Sequence, residues 1–125
     1  MQVDWTHVRY FRASEFDSPD QPGLAKGGMQ NAIVMALDRI RARGGFPIII
    51  SSGYRTPAHN AEVGGVDGSA HIRGYAADLA IRSSRQRSIV VRLAYEEGIR
   101  RVGVGAHIIH LDMDPSLVAD VMWLY

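Results

Sequence analysis

The sequence predicts an α+β fold in which a small, mainly antiparallel sheet carries two principal helices on one side. Apolar residues recur at helical spacing in two segments, and short β-branched runs bounded by glycine lie between and after these segments. The last two runs are adjacent in the chain, as in a β-hairpin. At 125 residues the length suits one domain over residues 1–125 with its own hydrophobic core.

The first helix is predicted from Ala25 to Arg43. It follows a loop at residues 17–23 that contains two prolines and a glycine. Apolar residues such as Met29, Ile33, Leu37 and Ile40 recur along one face, and the following glycines are typical of a helix end. One face of this helix should therefore pack on the core.

Two strands are predicted in the middle of the chain. The run FPIIISS (46–52) lies between Gly45 and Gly53 and leads into the turn-rich loop GYRTPAHN (53–60). Glycines at 64, 65 and 68 keep the next segment irregular, and YAADLAI (75–81) has the length and alternation of a second strand.

The C-terminal third predicts a helix and then a pair of strands. Ser84 can cap a helix that runs to about Glu97 and ends at Gly98. The runs IRRVGVG (99–105) and HIIHLDMD (107–114) predict adjacent strands that form a hairpin around Gly105. A short tail containing Trp123 follows.

The composition excludes several classes of protein and site. Formal net charge is +1 and the arginines are spread over predicted helix faces and ends, so no basic patch indicates nucleic-acid binding. We expect no membrane span, no signal peptide, synthesis in the cytoplasm and a monomeric state. Cysteine is absent, so any metal must be held by histidines and carboxylates.

The main candidate site combines His71, Asp78 and His110. His71 and Asp78 lie seven residues apart among glycines and alanines, and both need polar partners if they are buried. A catalytic zinc ion takes three protein ligands and leaves a fourth position for water. These three residues supply that number, although a hydrogen-bonded structural His–Asp pair explains the spacing equally well.

Two further residues flank His110. Asp112 should share a strand face with His110, since residues two apart point the same way. His107 should face the opposite side unless the chain near Gly105 makes a turn or bulge that re-aims it.

Three motifs together resemble the zinc D-alanyl-D-alanine carboxypeptidase family of peptidoglycan peptidases, which includes phage endolysins and, more distantly, the hedgehog signalling domain. They are SGYRTPAHN (52–60), SAHIRGYAAD (69–78) and IIHLD (108–112). The resemblance covers nearly the whole chain and is strongest to the short phage-type branch. It implies the hedgehog/DD-peptidase fold, a Zn²⁺ cofactor, the peptide stem or cross-link of bacterial peptidoglycan as substrate, and release of the protein to the cell wall.

The resemblance also implies roles for individual residues. It makes His71, Asp78 and His110 the zinc ligands. The arginine of the SGYR motif, Arg55, would stabilise charge developing on the scissile carbonyl, a task suited to a permanently charged guanidinium. It further implies that Tyr54 and Ser69 bind substrate, whereas a turn-stabilising hydroxyl is an equally good interpretation of Ser69.

The general base departs from the family pattern. Many members place an acidic residue three positions before the last zinc histidine, and that position here is His107. A neutral imidazole can accept a proton near pH 7. Asp112 is the other candidate, either as a carboxylate that orients a ligand imidazole or as the base itself.

Three functions follow from this reasoning. The leading hypothesis is a zinc peptidase that acts as a carboxypeptidase or an endopeptidase. The first alternative is a zinc-stabilised binding module without hydrolysis, which the hedgehog relative shows that the scaffold allows. The second is a metal-free structural domain in which Arg55 or Arg73 pairs with Asp78.

Overall fold

The computed structural model describes residues 1–125 and has an α+β architecture, as predicted. Two short 3-10 helices at Trp5–His7 and Ala13–Phe16 precede the main elements. The helices are α1 (Ala25–Gly28), α2 (Asn31–Gly44), α3 (Pro57–Glu62) and α4 (Ser84–Glu96), and the strands are β1 (Ile49–Ser52), β2 (Ala76–Ala80), β3 (Arg101–Val104), β4 (Ile108–Asp112) and β5 (Val121–Leu124). None of the helices combines the length and apolar character that crossing a bilayer requires.

The five strands form one sheet in the order β1-β2-β4-β3-β5. All neighbouring pairs are antiparallel except β3 and β5, which are parallel. Aligned positions form a row across the sheet: Ser52, Asp78, His110, Gly103 and Trp123. Because paired residues point to the same face, this row places two candidate metal ligands side by side.

The opposite face of the sheet packs on the helices. Leu79, Ile109 and Val102 are fully buried there, and they belong to the same core as the apolar stripe of α2, which includes Ile33 and Leu37. Helices α2 and α4 also pack against each other. One face of the sheet therefore forms the core and leaves the other for the candidate site, as expected.

The predicted helix from Ala25 to Arg43 is interrupted. Met29 is extended, which separates α1 from α2. The interruption lets the Gly74 turn dock on the chain: Gln30 N–H donates to the Gly74 carbonyl, and a Cβ at Gly74 would lie 1.9 Å from the Gly28 carbonyl oxygen. The prediction of one continuous helix was wrong because this long-range contact has no local signal.

Two other segments differ from the predictions. The predicted loop at 53–60 contains the start of α3, where Thr56 Oγ1 accepts a hydrogen bond from His59 N–H and Pro57 occupies the first turn. The predicted tail forms β5.

The α4 cap and the hairpin are closer to expectation. Ser83, not Ser84, caps α4 by accepting from Gln86 N–H. The hairpin around Gly105 is confirmed, with β3 and β4 antiparallel.

Candidate metal centre

His71, Asp78 and His110 form a buried cluster with the geometry of a metal site. Asp78 Oδ1 lies 2.8 Å from His110 Nδ1 and 3.3 Å from His71 Nε2. One ligand atom from each residue lies within 4.8 Å of the other two. The structure thus brings together the three residues that the sequence suggested as ligands.

The turn before β2 fixes the orientation of His71. Its Nδ1 lies 2.7 Å from the carbonyl oxygen of Gly53. A carbonyl can only accept, so Nδ1 carries the proton and Nε2 has a free lone pair. This lone pair faces Asp78 from within a buried site.

His71 Nε2 is the observation that distinguishes a metal site from a structural pair. It is buried and makes no hydrogen bond, since its 3.3 Å approach to Asp78 Oδ1 does not have hydrogen-bonding geometry. A buried polar atom without a partner is uncommon and costs about 1–3 kcal/mol. Imidazole nitrogen and carboxylate oxygen are ordinary zinc ligands, so the residues fit a zinc ion.

Asp112 holds the other side of His110. Its Oδ2 lies 2.7 Å from His110 Nε2, and its Oδ1 accepts from Arg101 Nε at 2.8 Å. The shared strand face predicted for His110 and Asp112 is therefore observed. Both carboxylate oxygens are engaged, which is the arrangement expected of a group that orients a ligand imidazole.

The charges of the cluster favour a cation beside Asp78. Burial by itself raises the pKa of Asp78, but the hydrogen bond with His110 outweighs it and holds the pKa of this carboxyl well below its usual range. Burial likewise lowers the pKa of His110, and hydrogen bonds to Asp112 and Asp78 outweigh it and raise that pKa. The environment that stabilises a proton on His110 would also stabilise a metal ion beside Asp78.

We expect Asp112→Asn to weaken zinc affinity by about 10- to 100-fold, because the amide accepts a weaker hydrogen bond from His110. Activity should return when zinc is added in excess, as measured by zinc titration. Asp120→Asn is a suitable control because Asp120 is exposed and Asn tolerates its left-handed backbone. Activity that stays low at saturating zinc would instead make Asp112 the general base.

Arg55 lies beside the cluster and makes three side-chain contacts. Its Nη2 donates to Asp78 Oδ2 at 3.1 Å, Nε donates to Ser52 Oγ at 3.0 Å, and Nη1 donates to Asn60 Oδ1 at 3.2 Å. The guanidinium is thus fixed next to the three candidate metal ligands. The contact with Asp78 is also the pairing that the metal-free hypothesis requires.

His107 lies apart from this cluster. It is exposed in the turn between β3 and β4 and does not line the cleft that contains the three candidate ligands. Its carbonyl oxygen accepts from Ile81 N–H at 3.1 Å, which fixes the backbone at the start of β4. The turn at Gly105 does not bring the His107 side chain into the cleft, and the structure gives no contact through which His107 could act as the base.

From this position we expect His107→Ala to retain zinc and to keep turnover within about threefold, as for other surface substitutions. Steady-state kinetics at saturating zinc would measure it. A loss of about 10²–10⁴-fold with zinc retained would restore the role of general base.

The two residues suggested for substrate binding have different surroundings. Ser69 lines the cleft, and its hydroxyl accepts from His71 N–H at 3.2 Å, so it stabilises the ligand turn. Tyr54 lies outside the cleft lining and packs so closely on Gly28 that a Cβ there would lie 2.8 Å from the ring. Substrate contact remains a prediction for both.

The cleft around the cluster has a volume of about 530 Å³. Its lining includes the glycine-rich loop at 63–68, which carries Asp67, and also Leu117, Trp123 and Tyr125. Sequence reasoning missed Arg101, Trp123 and Tyr125. The alternation of Trp123 and Tyr125 in VMWLY is the local signal of a strand that could have placed both on one face.

Comparison with known proteins identifies the family to which the chain belongs. No curated protein matches the chain. The family model described as Peptidase M15 matches residues 10–114, a span that includes all three candidate ligands and Arg55. Because this match covers most of the sequence, the chain belongs to the Peptidase M15 family.

Proposed function

We propose that the protein is a zinc-dependent peptidase that hydrolyses peptide bonds in the stem or cross-link of bacterial peptidoglycan. Membership of a peptidase family supports hydrolysis of a peptide. The observation that best supports metal dependence is the buried, unpartnered Nε2 of His71 beside Asp78 and His110. The peptidoglycan substrate rests on the resemblance of the three sequence motifs.

In this reaction the residues of the site would have the following roles. His71 Nε2, Asp78 Oδ1 and His110 Nδ1 would hold zinc, which when bound polarises a carbonyl and acidifies a water molecule. Arg55 would stabilise the negative charge that develops on the scissile carbonyl oxygen. Asp112 and the Gly53 carbonyl would keep the two imidazoles oriented with a lone pair toward the ion.

A zinc-stabilised binding module is the second candidate, and one observation favours it. The cluster has no uncommitted base beside it: both Asp112 oxygens are engaged, His107 lies outside the cleft, and Asp67 lies on an exposed loop of the cleft wall. A module that binds peptide without cutting it would not need a base. The Arg55–Asp78 contact similarly supports the metal-free alternative.

Incubation of zinc-loaded protein with purified cell-wall peptides, followed by mass analysis, tests these candidates. We expect zinc-dependent fragments: loss of one terminal residue indicates a carboxypeptidase, and an internal cut indicates an endopeptidase. A chelated sample and His71→Ala are the controls. Peptide binding without fragments would favour the binding module, and failure to bind zinc would favour the metal-free domain.

A further inference from the structure

Trp123 lies on the edge strand β5, outside the residues that match the family model. It pairs with Gly103 of β3, and Gly103 pairs with His110 of β4 on its other side. Trp123 and His110 are therefore separated by one strand, roughly 10 Å between backbones at the usual strand spacing. The indole can contact His110 only if no side chain on β3 lies between them.

Gly103 leaves that space open. A Cβ at this position would lie 2.4 Å from Trp123 Nε1 and 2.7 Å from Cε2, which is closer than atoms can approach. The indole thus lies directly over the Gly103 backbone. Its ring centroid is 5.2 Å from that of His110, with the planes tilted by 48°. This distance is within the range of favourable aromatic pairs.

Trp123 also contacts the group at the far end of the His110 hydrogen-bond chain. The Arg101 guanidinium carbon lies 5.5 Å from the indole centroid, and Arg101 Nε donates to the same Asp112 that binds His110. Such a cation–aromatic contact restrains an arginine side chain. One indole therefore packs against both His110 and Arg101.

We propose that Trp123 is a positioning residue for the metal ligand His110, so that β5 completes the metal centre. This inference rests on the proposed zinc site. Asp112 fixes the Nε2 end of the imidazole, and the indole restricts rotation of the ring about that hydrogen bond. Both restraints hold Nδ1 toward Asp78, and ligand orientation of this kind affects metal affinity strongly.

Zinc affinity of substituted proteins, measured by competition with a chromophoric chelator, tests the proposal. We expect Trp123→Ala to weaken zinc affinity by about 10-fold or more, and Trp123→Phe to restore most of it because a ring remains. Leu124→Ala is the matched control, since Leu124 is the next residue on β5, is 80% exposed and points to the other face. It should leave the affinity unchanged.

A spectroscopic measurement tests whether Trp123 lies beside the bound metal ion, as the proposal requires. The chain has two tryptophans, so Trp5→Phe leaves Trp123 as the single indole fluorophore. Titration with Co²⁺, which quenches nearby indole emission, should quench Trp123 with the midpoint of metal binding. The quenching should be lost in a Trp5→Phe, His71→Ala double variant.

A second substitution keeps the proposal testable if Trp123→Ala does not fold. Gly103→Ala introduces a Cβ where the indole lies, and it should weaken zinc affinity while Trp123 is retained. Unchanged zinc affinity in the folded Trp123 and Gly103 variants would overturn the positioning role alone. Equal weakening by Leu124→Ala would also overturn it, whereas a wild-type protein that binds no zinc would overturn the proposed function as well.

Discussion

Replacing His71 with alanine is expected to abolish both stoichiometric zinc binding and peptidase activity. The substitution removes one of three ligand side chains, and zinc sites with an open position need all three. It also removes the hydrogen bond from Nδ1 to the Gly53 carbonyl, which ties the ligand turn to the end of β1. Zinc content after dialysis and hydrolysis of cell-wall peptides would measure the two effects.

The control for this experiment is His7→Ala. His7 is exposed and lies far from the cluster in sequence, with its Nδ1 3.0 Å from Asp4 Oδ2. It should keep full zinc content and activity, and the thermal unfolding of both variants shows whether they fold. Stoichiometric zinc in folded His71→Ala protein would contradict the ligand assignment.

Strand alternation made the relative placement of the residues around His110 predictable from the sequence. It placed His110 and Asp112 on one face and His107 on the other, and the 2.7 Å contact between His110 Nε2 and Asp112 Oδ2 fits this placement. The opposite placement of His107 follows from the same rule, since it lies three positions before His110. The resemblance pointed instead to His107 as the base, and the structure places it in an exposed turn.

What could not be predicted depends on contacts between distant segments. The helix break at Met29 exists because the Gly74 turn docks there, and neither segment alone carries that information. The pairing of β5 with β3 is similar: VMWLY has strand character, but only tertiary structure places Trp123 over Gly103. From the sequence, Arg101 is indistinguishable from an ordinary surface arginine. Only the structure shows its contacts with Asp112 and Trp123.

The second large effect is expected from Arg55→Ala, which should lower kcat by about 10²–10³-fold at saturating zinc. The guanidinium is held beside Asp78 by Ser52 and Asn60, where it can stabilise charge on a carbonyl oxygen bound next to the ligands. An effect on the transition state lowers kcat and kcat/KM together and leaves KM nearly unchanged. Steady-state kinetics on a defined peptide would measure this division.

Protein stability and kcat, measured together, separate the two roles available to Arg55. Removing a cation that pairs with Asp78 should destabilise the metal-free protein, since the carboxylate then keeps only its contacts with His110 and His71. Zinc affinity should not fall, because the freed carboxylate oxygen no longer interacts with a competing cation. Arg73→Ala is the matched control: Arg73 pairs with buried Asp114, which is not a ligand, so its loss should affect stability without a comparable loss of kcat. A folded Arg55→Ala protein with normal kcat would leave Arg55 only the structural role of pairing with Asp78.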